Sequence, residues 1–166
     1  MSQLRVNSII PASGVPSTGG GGTGSSGGGI LQITWKDLGS GNFSQTTTTT
    51  SYTASGFTNT ITPLSATSKI FHIVSIGFLA ICDGQIRIAR GGTVVSPSLM
   101  DSYRDVSTTN YQYDMPAFTF TYLDSPNTTS ACNYELYIRA TGCQGFQYIG
   151  SPGDFNSSWA LMEVSA

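Results

Sequence analysis

The chain has 166 residues, 39% of them hydrophobic, enough for one compact domain with a buried core plus an extension. Only 10% are charged, at a net −2, and Lys and Arg are scattered singly, which excludes the basic footprint of a nucleic-acid binder. Ser, Thr, Gly and Asn replace the charges, and such a polar, uncharged surface suits a β-rich secreted or particle-bound protein better than a cytosolic enzyme.

The opening MSQLR does not read as a signal peptide, since no apolar stretch follows it. "QLRVNSIIPASGVPS" reads as a short extended segment whose apolar side chains are Val6, Ile9 and Ile10; Pro11 and Pro16 keep it from forming a useful helix. It is too short to build a core, so residues 1–18 are expected to dock on another surface as an anchor. The tract from Gly19 to Gly29 has eight glycines in eleven residues and reads as a linker of short reach. It contains "GTGSSG" and "GSSGG", formal matches to a dinucleotide-binding and a hydrolase motif. Neither lies between a strand and a helix, as those motifs require.

Residues 30–166 read as an all-β head domain. "ILQITW" is strand-like, "NFSQTTTTTSYTAS" is a Thr-rich extended segment, and "FTNTITP" alternates Phe57 and Ile61 against Thr58, Thr60 and Thr62. "QIRIAR" and "GGTVV" read as a hairpin turning at Gly91–Gly92. "PAFTFTYL" places Phe118, Phe120 and Tyr122 opposite threonines. "ACNYELYIRA" points Cys132, Tyr134, Leu136 and Ile138 one way and Asn133, Glu135, Tyr137 and Arg139 the other. "GFQYIG" and "SSWALMEV" complete the set. Short strands punctuated by Gly, Pro, Asn and Asp predict an antiparallel β-sandwich or jelly-roll-like head behind an extended N-terminal arm and Gly-rich linker.

The run Lys69–Cys82 does not alternate. One parity carries Ile70, Val74, Ile76 and Phe78, the other Phe71, Ile73, Leu79 and Ile81. A strand with one wet face alternates, so both faces are expected to be covered: one by the core, the other by a neighbouring subunit or by the chain's own loops. Phe71, Ile73, Leu79 and Ile81 are the candidate subunit-interface residues. The run is too short to cross a bilayer, and no membrane insertion is expected.

Chemistry is sparse. The single histidine, His72, lies inside that apolar run and reads as a hydrogen-bonded core or interface residue rather than a catalytic base. Asp101, Asp105 and Asp114 fall in one loop region with nothing to fix their separation. Cys82, Cys132 and Cys143 read as reduced thiols in or near the core, a Cys132–Cys143 bridge being the alternative; their spacing fits no zinc site. The expectation is a protein with no catalytic residues, metal or cofactor. "MDSYRDVSTTNYQYDM", Met100 to Met115, groups Tyr103, Tyr111 and Tyr113 with Arg104. These four are the candidate ligand-binding residues, able to stack on a sugar ring or to build a protein contact. The alternative is an ordinary loop whose tyrosines pack on the sandwich.

"LRVNSIIPASGVPSTGGGG", "ITPLSATSKI", "FTFTYLDSPNTTSACNYELYIRA" and "SSWALMEVSA" together resemble small tail-fibre-like structural proteins of tailed bacteriophages, of the marine and cyanobacterial type. The resemblance covers both ends and the long strand region. It implies a homotrimeric virion protein on the phage particle surface, assembled in the bacterial host cytoplasm. The N-terminal anchor would hold it to other virion structural proteins, and a β-rich knob would meet a host-cell surface glycan or protein. The loop from Met100 to Met115 matches none of these patterns. The alternatives are a capsid decoration (cement) protein that stabilises the head shell and, third, a free lectin-like module. An exposed Tyr-rich loop favours the fibre, and an arm ordered along its length favours decoration.

Overall fold

Alternation becomes strands wherever Thr, Ile, Val and aromatic residues keep a period of two. The computed structural model describes residues 29–37, 46–47, 49–80, 84–102, 117–140, 146–149 and 157–165. Among them are β1 (Ile30–Asp37), β2 (Thr46–Thr47), β3 (Thr53–Ile61), β4 (Lys69–Ala80), β5 (Gly84–Arg90) and β6 (Thr93–Val94). There follow β7 (Met100–Ser102), β8 (Ala117–Asp124), β9 (Cys132–Ala140), β10 (Phe146–Ile149) and β11 (Ser158–Val164). The described residues contain no helix.

Every pairing is antiparallel. In the first sheet β11 pairs with β1 and with Lys69–Ser75 of β4, while β8 pairs with Ile70–Gly77 of β4. Because β11 and β8 take the same stretch of β4, they occupy its opposite edges. The short β10 pairs with Phe78–Ala80, and β2 pairs with β10. In the second sheet β9 lies between β3 and β5, and the other edge of β5 is shared by β6 and β7.

Taking β6 and β7 as one interrupted strand and setting β2 and β10 aside leaves eight strands in chain order. The first sheet then holds the first, eighth, third and sixth, and the second sheet holds the second, seventh, fourth and fifth. This interleaving is the double Greek key of a jelly roll. The expected β-sandwich is therefore present, with its jelly-roll connectivity.

The core lies between the sheets: Ile70, Val74 and Ile76 of β4, Trp159 and Leu161 of β11, Phe57 and Ile61 of β3, Ile86 and Ile88 of β5, and Cys132, Tyr134, Leu136 and Ile138 of β9. The hairpin turns at Gly91 and Gly92, with φ of 55° and 83°, the left-handed pair that a two-residue turn between twisted strands requires. The second strand of that hairpin is shorter than its sequence suggests: only Thr93 and Val94 pair, and Val95, Ser96 and Leu99 then bond back to Ile88 and Ile86 through their amides. The Thr-rich segment is also not one strand, because residues 50 and 51 bend before β3 begins. At the mouth of the first sheet, Gly29 donates its amide to Ser165 Oγ and accepts the Ser165 amide in return, both at 3.0 Å.

Candidate functional site

The outward face of the first sheet is built by register. Even-numbered Ile70, His72, Val74 and Ile76 of β4 point into the core, so Phe71 and Ile73 point out and are half-buried. The ladder sets Ile33, Met162, Phe71 and Leu123 side by side across β1, β11, β4 and β8. The next row holds Trp35, Ala160, Ile73 and Thr121. Trp35 is 64% exposed, Ile33 54%, Ile30 48% and Leu123 46%. Cross-strand neighbours thus form one apolar surface spanning the sheet. Among the described residues the charged positions on this face are Lys69 and Asp37, both at its margin. A contiguous apolar patch rimmed by polar residues marks an interaction surface.

The outward face of the second sheet has a different chemistry. Tyr52, just before β3, reaches across to donate its hydroxyl to Gln85 Oε1 at 2.8 Å. The same oxygen accepts Arg139 Nε at 2.9 Å and Nη2 at 2.6 Å. The guanidinium carbons of Arg87 and Arg139 lie 4.6 and 4.7 Å from the centre of the Tyr52 ring, within cation–π range. Sequence reading passed over this group because Tyr52 sits in a Thr-rich stretch far from both arginines. The only signal available was that Arg87 and Arg139 each fall on the polar parity of an alternating strand.

Inside the sandwich, buried Asp124 accepts hydrogen bonds from Tyr134 Oη at 2.7 Å and from Arg90. Burial, then the bond to Asp124, raises the Tyr134 pKa. His72 is wholly buried among the rings of Tyr122, Tyr134 and Trp159, edge-on to Tyr134 with centroids 4.5 Å apart. The core position agrees with the sequence, but the expected hydrogen bond is not found: neither ring nitrogen has a partner among the described residues. Burial depresses its pKa to about 4, Asp124 opposing and Arg90 assisting, so the imidazole is neutral at pH 7. With no opening to solvent at His72, the cluster has the form of a structural polar core.

Other expected residues fall differently. Val6, Ile9, Ile10, Tyr103, Arg104, Tyr111, Tyr113 and Ile81 lie outside the described residues, as does the side chain of Leu79. Met100–Ser102, read as the start of a loop, is instead strand β7 on the edge of β5. Cys132 is buried as a free thiol, its Sγ 3.5 Å from the Ser130 carbonyl; Cys82 and Cys143 lie outside the described residues. Among the described residues no three acidic, His or Cys side chains group as metal ligands.

No family model and no curated protein matches the chain. Among solved structures, the crystal structure of the infectious bursal disease virus VP2 subviral particle is similar over 81% of this chain at 12% identity, with a TM-score of 0.32. The match covers 32% of that protein, so the chain spans about a third of its length.

Proposed function

We propose that this protein is a structural component of a phage virion: a trimeric tail-fibre or fibre-tip head, held to the particle by residues 1–18 and presented to the host surface. The observation that carries the reading is the apolar outward face of the first sheet, where Ile33, Trp35, Phe71, Ile73, Leu123 and Met162 adjoin in register. A chain so poor in charge has little else to keep such a face soluble, and burial against further copies removes it from water. The resemblance of the N-terminal segment and Gly tract to tail-fibre-like proteins supports the division into anchor, linker and head. Three copies on one axis would combine three weak anchor contacts into one strong attachment.

Sedimentation of the full chain at micromolar concentration tests the assembly. A trimer is expected. A stable, folded monomer overturns the trimeric reading, and a monomer that still enters particles at normal copy number favours capsid decoration.

A further inference from the structure

We infer that the outward face of the second sheet binds an anionic saccharide, one bearing carboxylate, sulfate or phosphate groups, through Arg87 and Arg139 set on the ring of Tyr52. The inference rests on the receptor-binding part of the proposed function for its biological role and supplies the ligand's chemistry.

Three features point there. First, the chain has only seven Lys and Arg, yet two of them lie against one neutral ring. Like charges brought together repel; the Tyr52 ring and Gln85 offset part of that cost, and an anion would offset the rest. Second, no described carboxylate forms an ion pair with either of them. The ion pair found among the described side chains belongs to Arg90 and Asp124 in the interior. Glu135, on the same face of β9, accepts the Gly56 amide at 2.9 Å. Third, the pair is positioned. Gln85 Oε1 holds Tyr52 and Arg139 together by three hydrogen bonds, while Arg87 Nε is buried with no partner among the described residues. The guanidinium N–H groups that are neither spent on Gln85 nor buried are the donors an oxyanion would take.

The face favours a sugar over other anionic partners. The exposed large apolar side chains of the described residues are Ile30, Ile33, Trp35 and Leu123 on the first sheet and Leu64 in a loop. None lies on this face, so its described part lacks the apolar centre of a protein interface. A nucleic-acid backbone needs a longer run of basic side chains than the two arginines of this face, and Lys and Arg are otherwise scattered singly. What remains is a flat strand surface of Tyr52, Tyr137, amide and guanidinium groups, which can pack a pyranose ring and bond its hydroxyls.

Calorimetric titration of the full chain with a uronic-acid oligosaccharide, a sulfated oligosaccharide and an uncharged one of equal length tests the inference. At least one anionic sugar should bind and the neutral one should not, with affinity falling as salt is raised. Arg87→Gln should weaken binding at least tenfold with no change in thermal unfolding, and Tyr52→Ala should abolish it. Asp101→Asn, altering the residue that pairs with Gln85 across β5 and β7, should bind as tightly or tighter. Equal binding of the neutral sugar, no binding of either anionic sugar, full affinity in Arg87→Gln or loss of affinity in Asp101→Asn would each overturn the site. If the anionic sugars fail to bind while trimeric particles still adsorb to host cells, the inference falls and the fibre reading stands. A sugar-binding monomer that never joins a particle gives the reverse.

Discussion

Two buried ionisable side chains set how this head responds to acid. His72 is folded with its pKa held near 4 by burial, against an ordinary value of 6.5. The unfolded chain therefore binds a proton that the fold refuses between those values, and stability is full above pH 6.5 and falls as pH drops toward 4. Protonating His72 in place costs about 3 kcal/mol. Glu163 acts in the same direction. Burial pushes its pKa up, but hydrogen bonds from Gln32, the Leu64 and Ser65 amides and Ser68 outweigh this and hold the carboxyl below its usual range. Its stabilisation is present above the unfolded pKa and is lost as pH falls through the folded one. Urea unfolding at pH 7, 5.5 and 4.5 should show a continuous loss, and His72→Leu should flatten it while Glu163→Gln lowers stability at pH 7 by about 1–3 kcal/mol. A stability independent of pH over that range would contradict the His72 assignment; the Glu163 contribution is lost below its ordinary value of 4.5 and is read by extending the series to lower pH. Neither environment was legible in the sequence. The apolar neighbours of His72 gave its burial, but its missing hydrogen bonds depend on Tyr122, Tyr134 and Trp159, which arrive from three other strands. Asp124 drew no reading from the sequence, whereas its partners Arg90 and Tyr134 make it a buried acceptor.

Strand parity was legible, because alternation in β3, β8 and β9 fixes which side chains enter the core. The double apolarity of β4 divided as its two parities require, with Ile70, Val74 and Ile76 inward and Phe71 and Ile73 outward. Which strands adjoin β4 was not legible, since pairing is decided by contacts far apart in sequence, and so Ile33, Trp35, Leu123 and Met162 were missed as members of the same surface. These residues allow a direct test of assembly through that face. The double variant Trp35→Lys, Leu123→Lys changes exposed side chains, so monomer stability should move by no more than about 0.5 kcal/mol for each. Sedimentation should nevertheless shift to monomer. A double variant that remains trimeric would place the contact elsewhere.

At the scale of the molecule, the sandwich class followed from strand length and punctuation, but the jelly-roll order did not. It depends on β11 coming to lie between β4 and β1, the latter more than a hundred positions away in sequence. The anchor and linker were read from composition alone: Pro and isolated apolar residues before a glycine tract cannot form a core and can only be joined to one. Deleting residues 1–18 should leave thermal unfolding of the head unchanged while abolishing its incorporation into particles, as measured by immunoblot of purified virions. Normal incorporation would assign attachment to the head itself.

The reciprocal hydrogen bonds of Gly29 and Ser165 have a mechanical consequence. If the arm carries load, force enters at Gly29, the residue just before β1, whose paired neighbour among the described residues is β11 alone. A pull along β1 strains its whole ladder to β11 in shear, with the bonds sharing the force because they lie across the strand. A pull outward from the sheet reaches the Gly29–Ser165 pair first and opens the ladder one rung at a time. The same few bonds are therefore strong or weak according to the direction of the pull.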